Sequence, residues 1–220
     1  MNFLTYIVHL ASSSAVAYYS ASQIRDPKTR PNVLVDLQQA ELGTVSFLQA
    51  LSDRATAEGN ARLAEKLTKH AADEKRHGLI FTHALKEINK QGINLPSKTD
   101  RQRSKELYRV SFTAYYEGYT EEQLKANVID WDVFMASTYI LELDGSGELT
   151  RMANALPEDN QSDRKLKLGM LSIAKDETYH AAYLYEAMME RMSATQVQKL
   201  VDHWRTRKLN ALMAIAGTLL

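Results

Sequence analysis

The chain has 220 residues, 27 basic against 27 acidic side chains, four prolines and no cysteine. Missing cysteine excludes disulfides, thiolate zinc sites, iron–sulfur clusters and cysteine nucleophiles, and leaves His, Asp and Glu as the strong metal ligands. Zero net charge gives no electrostatic reason to expect nucleic-acid binding, and 45% hydrophobic with 25% charged residues is an ordinary globular mixture, read as one domain over 1–220.

The opening stretch from Asn2 to Leu10 lacks a basic flank, since the first Lys or Arg is Arg25, and His9 interrupts its apolar run. It reads as a poor signal peptide. No segment approaches the roughly 20 uninterrupted apolar residues of a membrane span, so the expectation is a soluble, cytoplasmic protein.

Pro27, Pro31, Pro96 and Pro157 leave three long stretches free of helix breakers. In the first, Val33, Leu34, Leu37, Leu42, Val45, Leu48 and Leu51 recur at three- and four-residue spacing. Ala57-Glu-Gly-Asn60 then marks a turn, and Leu63, Leu67, Ala71, Gly78, Phe81 and Leu85 resume the helical pattern. Residues 92–100 read as a loop, and 101–118 and 120–128 as shorter connecting helices. Asp130 is placed to cap a helix from Trp131 to about Ala155, Pro157-Glu-Asp-Asn160 is the next turn, and about Ser162 to Met192 is another long helix. Ser193 caps a final amphipathic helix ending near 216–218. No period-2 alternation occurs, so the fold class is all-α, with the bundle core at about 32–192.

Two pentapeptides carry the chemistry: Asp73-Glu-Lys-Arg-His77 and Asp176-Glu-Thr-Tyr-His180. Chance placement of 15 glutamates and 6 histidines would not reach one full Glu-x-x-His match. Residues i and i+3 share a helix face, so Glu74 with His77, and Glu177 with His180, can each grip a metal from one side. Four-helix di-iron proteins complete such a site with one Glu from each of two further helices.

Glu41 and Glu142 meet a geometric test for those carboxylates, because residues facing each other across a hairpin are equidistant from its turn. The midpoint of 41 and 74 falls inside Ala57–Asn60, and that of 142 and 177 inside Pro157–Asn160. Each pair lies about 16 residues, or roughly 25 Å, from its turn. Asp36 fits less well, since its midpoint with Glu74 falls within the helix. Four glutamates would neutralise two divalent irons, making a buried carboxylate cluster tolerable.

On these motifs the chain, over residues 32–192, resembles the ferritin-like di-iron carboxylate superfamily, oxygenase and oxidase branch. The first motif matches the D-E-x-R-H pattern; the second departs from it with Tyr179 where Arg is usual. The resemblance implies a ferritin-like four-helix bundle with a long helical crossover, and metal ligands Glu41, Glu74, His77, Glu142, Glu177 and His180. It implies that Asp73 and Asp176 each hydrogen-bond the histidine of the opposite motif, with Arg76 beside them. Ser146, four residues after Glu142, takes the place of a Thr that assists proton delivery. Tyr139 and Thr138, one turn before Glu142, are further catalytic candidates. His70, four residues before Glu74, is a candidate seventh ligand, as an extra histidine is in the N-oxygenase branch, where it precedes the second motif.

Small residues beside the ligands, among them Thr44, Ala71, Gly78, Gly145, Ala174 and Ala181, either leave volume for dioxygen and substrate or serve close helix packing. Gly145-Ser146-Gly147 inside a helix marks a place for a π-bulge or local unwinding. Tyr108, Tyr115, Tyr116 and Tyr119 either roof a pocket or pack on the bundle. The function the resemblance implies is oxidation of a small, hydrophobic organic substrate with O2. It needs two iron ions (Fe2+/Fe3+), with manganese as the alternative metal, and electrons from a ferredoxin or a reductase. Hydroxylation, desaturation, N-oxygenation and deformylation all remain open, in a monomer or a homodimer. A rubrerythrin-like peroxidase or an iron-storage protein is the alternative.

Overall fold

The computed structural model describes residues 18–219, so the stretch from Asn2 to Leu10 lies outside the described residues. Those described are helical without strands, as the periodicity requires. A helical lead-in at 18–25 precedes α1 (Arg30–Ala57), α2 (Ala61–Lys90), α3 (Lys98–Tyr115), α4 (Trp131–Ala155), α5 (Gln161–Arg191) and α6 (Ala194–Leu219).

Each start has a local cause. Asn60 accepts from Leu63 N–H at 3.1 Å, Asp130 from Asp132 N–H at 2.8 Å, and Asn160 from Asp163 N–H at 2.8 Å, satisfying donors that the first helical turn leaves free. Ser97 and Asp100 form a reciprocal capping box, which starts α3 three residues earlier than the expected 101. Gly59, at φ +80°, supplies the left-handed residue of the first hairpin turn, close to the midpoint of Glu41 and Glu74.

Two expected elements differ. Residues 120–128 form only a short 3₁₀ turn, Glu122–Leu124, because Gly118 at φ +84° reverses the chain and Lys125 is extended at ψ 145°. The glycines of Gly145-Ser146-Gly147 cause no bulge, and α4 runs unbroken as α-helix. Neither takes the positive φ that only glycine adopts easily, and the Arg151 guanidinium lies where a Gly147 side chain would sit, 3.3 Å from its Cβ position.

Hairpins α1–α2 and α4–α5 lie side by side through α2 and α5. No Cα of α1 comes within 8 Å of one of α4; that wider side carries a third layer, α3 on α1 and α6 on α4, with α3 and α6 packed together. The tyrosine stretch holds this layer rather than roofing a pocket. Tyr115, Tyr116 and Tyr119 surround Trp204 with ring centroids at 5.1, 5.4 and 6.2 Å, and the Tyr115 hydroxyl donates to Ser137 O at 2.8 Å. Val197, Val201 and Trp204 of α6 are buried, so its apolar stripe is spent on packing inside the chain, apart from exposed Met213. Asp36 belongs to this layer too, accepting from Ser104 Oγ at 3.0 Å.

The core falls into two apolar clusters. Leu48, Leu51, Leu67, Ala71, Phe134, Ile140, Tyr183 and Leu184 belong to the first; Leu34, Phe81, Leu149, Met170, Ile173 and Ala174 to the second. Every helix of the two hairpins passes through both, and its motif residues fall between them. Glu41 sits seven residues from Leu34 and from Leu48; Glu142 lies between Ile140 and Leu149. A polar layer is thus enclosed by apolar ends, with Ile24 of the lead-in closing the second cluster and a buried Arg30–Asp163 ion pair at 2.8 Å tying that end to α5.

Candidate metal centre

The polar layer holds Glu41, Glu74, His77, Glu142, Glu177, His180 and His70, all buried. Two groups of donors form, each with ligand atoms within 4.8 Å of one another and able to hold a metal ion. One is Glu41, Glu74, His77 and Glu177; the other is His70, Glu74, Glu142 and His180. Glu74 belongs to both. All six residues at expected ligand positions come together, and His70 joins them.

His77 Nδ1, His180 Nδ1, Glu142 Oε2 and Glu177 Oε1 are buried with no hydrogen bond. Leaving a buried polar atom unsatisfied costs about 1–3 kcal/mol, and here several converge. His77 Nδ1 lies 3.2 Å from Glu177 Oε1 and 3.4 Å from Glu41 Oε2; His180 Nδ1 lies 3.4 Å from Glu142 Oε2. A cation among them satisfies all at once.

The opposite ring nitrogens face the opposite motifs. His77 Nε2 is 3.4 Å from Asp176 Oδ2, and His180 Nε2 is 3.4 Å from Asp73 Oδ2. A proton on each Nε2, donated to the aspartate, leaves each Nδ1 lone pair directed at the pocket. The aspartates are neutralised from outside. Arg76 donates to Asp176, and Lys69 Nζ donates to Asp73 at 2.6 Å. Lys69 also stands 4.7 Å above the Tyr179 ring, and Lys66 donates to the Tyr179 hydroxyl at 2.6 Å. Tyr179 therefore supports a lysine that does for Asp73 what Arg76 does for Asp176, which accounts for the missing second Arg.

Titration follows from crowding. Burial, with repulsion from Glu74, pushes Glu41 up to about 9; burial, with Glu142 alongside, pushes Glu177 up to about 9. Burial also acts on Glu74, but hydrogen bonds from His70 and Glu41 outweigh it and hold Glu74 at about 2. His77 resists its own burial through Glu177 and Glu41 and rises to about 10, whereas burial and the neighbouring His70 charge lower His180 to about 4. Protons on Glu41, Glu177 and His77 thus offset the crowded carboxylate charge.

Ser146 does not reach the ligands. Its hydroxyl donates to Ala174 O at 2.9 Å and pairs with Thr178 Oγ1 at 2.8 Å, tying α4 to α5. Tyr139 packs its ring on Tyr185 at 5.6 Å and, like Thr138, makes no hydrogen bond to a ligand among the described residues. A hydroxyl that does touch a candidate carboxylate ligand is that of Thr44, whose Oγ1 lies 3.2 Å from Glu74 Oε2 and 2.8 Å from Glu41 O. Its place three residues after Glu41 was the available signal. Gly78 serves close packing, since a Cβ there would meet Leu42 at 2.5 Å; Gly145 lies open beside Glu177 Oε2, 3.8 Å from its own Cβ position. His83 and His203 are exposed, the latter accepting from Arg207 Nε at 2.7 Å.

No helix among the described residues is long and apolar enough to cross a membrane. Comparison with protein-family models, curated proteins and solved structures returns no match.

Proposed function

We infer that the two hairpins make a ferritin-like four-helix bundle that holds two iron ions and uses O2 to oxidise a small hydrophobic organic substrate, with electrons from a ferredoxin or a reductase. The observation that carries this reading is the convergence of the unpartnered imidazole and carboxylate atoms in one layer enclosed by apolar clusters. Four glutamates match the charge of two divalent cations, and the outer aspartates are already neutralised by Lys69 and Arg76. All-oxygen-and-imidazole donors suit iron or manganese.

Glu41, His77 and Glu177 would hold one ion and Glu142, His180 and His70 the other, with Glu74 serving both. Bound iron supplies the one-electron redox chemistry that side chains lack. The chain supplies the rest. Asp176 and Asp73 fix the imidazole tautomers, and the apolar clusters keep water from the layer. Thr44, exposed on its outer side, holds a proton at Oγ1 within reach of Glu74.

Anaerobic loading with Fe(II), followed by exposure to O2 with and without candidate hydrophobic substrates, tests this. Two irons per chain and oxygen consumption that quickens with substrate are expected. Rapid turnover with hydrogen peroxide alone would instead make the protein a peroxidase, and many irons per chain a storage protein.

A further inference from the structure

His70 has no counterpart in the other motif, where Ile173 occupies the equivalent position four residues before Glu177. Its ring is 1% exposed and stacks on His180 with centroids 3.7 Å apart. Nε2 points into the layer, 3.2 Å from Glu74 Oε1 and 3.4 Å from Glu142 Oε1. Nδ1 points away and meets the Tyr183 hydroxyl at 2.8 Å. Tyr183 is itself 3% exposed, and His70 is its hydrogen-bond partner among the described residues.

A neutral imidazole offers a lone pair to a metal on one nitrogen only when its proton sits on the other. With the proton on Nδ1 donated to the Tyr183 oxygen, His70 Nε2 is left as the donor facing Glu74 and Glu142. The other two histidines are held by aspartates that lysine and arginine neutralise. Tyr183 shares a small surface pocket with Met135, Leu63 and Ala187 and with three cations that are already engaged elsewhere: Arg62 by Glu186 and Glu190, Arg191 by Asp132, and Lys66 by the Tyr179 hydroxyl. A carboxylate there would be a buried, uncompensated charge costing several kcal/mol, whereas a phenol accepts the same proton without charge.

We propose that Tyr183 is a positioning residue which, through its hydrogen bond to His70 Nδ1, holds His70 Nε2 as an additional ligand and makes the Glu142–His180 position bind a divalent cation more tightly than the Glu41–His77 position. This rests on the two-metal reading above and adds an order of filling to it.

Titration of the metal-free protein with Co(II), followed by its visible d–d absorption and by calorimetry, reads each position separately. The wild-type chain fills in two phases of unequal affinity. Tyr183→Phe, which keeps the ring and its packing, weakens the tighter phase at least tenfold, the usual effect of losing such a partner, and spares the other. His70→Ala removes the difference between phases, and Tyr185→Phe, whose ring packs on Tyr139 instead, changes neither. Two phases that Tyr183→Phe leaves untouched, or weakens equally, overturn the proposal while the two-metal reading survives. A wild-type chain that takes up no Co(II) overturns both.

Discussion

The two candidate metal positions are assembled from equivalent parts and set in unlike surroundings. Exchanging the hairpins brings Glu41 onto Glu142, Glu74 onto Glu177, His77 onto His180 and Asp73 onto Asp176. The same exchange brings His70 onto Ile173 and Tyr183 onto Ile80. One position therefore includes a hydrogen-bonded imidazole at the edge of the first apolar cluster, where the equivalent residue of the other hairpin is Ile173, fully buried in the second. A repeated hairpin thus needs only its Glu and His spacing to bring two donor groups into one layer, and residues one turn away make the halves differ.

The largest expected effect tests whether the halves are joined. Because Glu74 belongs to both donor groups, Glu74→Ala should reduce metal content from two ions to none, while Glu41→Ala and Glu142→Ala should each leave the opposite position filled. Elemental analysis after gel filtration measures this; a Glu74→Ala protein that retains both ions would mean the halves are independent.

Next comes the proton inventory. Glu41 and Glu177, raised from 4.5 to about 9, carry protons at neutral pH in the metal-free state. The stability these two groups contribute is complete below about 4.5 and is lost as pH rises through about 9. His77, raised from 6.5 to about 10, acts in the same direction. Metal must displace these protons, so affinity should climb with pH up to about 9, and calorimetry in buffers of different ionisation enthalpy should register proton release. A pH-independent affinity between 6 and 9 would contradict the crowding.

The aliphatic side should also be the less forgiving. A Cβ at Gly169 would meet Ile80 Cγ2 at 2.7 Å, and a β-branched methyl cannot swing aside, so Gly169→Ala should destabilise by roughly 1–3 kcal/mol in thermal melts. At Gly78 the obstacle is the end of Leu42, 42% exposed and free to turn outward, so Gly78→Ala should cost less. The smallest effect is that of Ser146→Ala, which removes the α4–α5 hydrogen bonds of one hydroxyl to Ala174 O and Thr178 Oγ1, a net loss of about 0.5–1.5 kcal/mol, and leaves metal content unchanged. Loss of an ion in Ser146→Ala would return that residue to the site.

The gathering of the candidate donors was legible in the sequence because two simple periods fix it. The i, i+3 spacing puts Glu and His on one helix face, and midpoints inside the turns Ala57–Asn60 and Pro157–Asn160 put the partner carboxylates at the same depth. The crossed Asp–His pairing was expected only through the family resemblance, and the 3.4 Å approaches accord with it. The contributors one turn away were not legible, for a rotational reason. Positions i+3 and i+4 lie on opposite sides of a ligand, about 100° apart around the helix. Thr44 and Gly145, both at i+3, lie beside Glu74 and Glu177, whereas Ser146 at i+4 turns to the α4–α5 contact. Tyr183 also stands at i+3, after His180, but only the tertiary approach of α5 to α2 gives its hydroxyl His70 as a partner. The fate of 120–128 depended on Gly118, whose positive φ no periodicity encodes.

Anomalous diffraction from crystals of the iron-loaded protein tests the central claim most directly. Two iron peaks are predicted in one buried layer. One is bounded by His70, Glu74, Glu142 and His180, and the other by Glu41, Glu74, His77 and Glu177. A single peak, peaks outside that layer, or none after anaerobic loading would contradict the account.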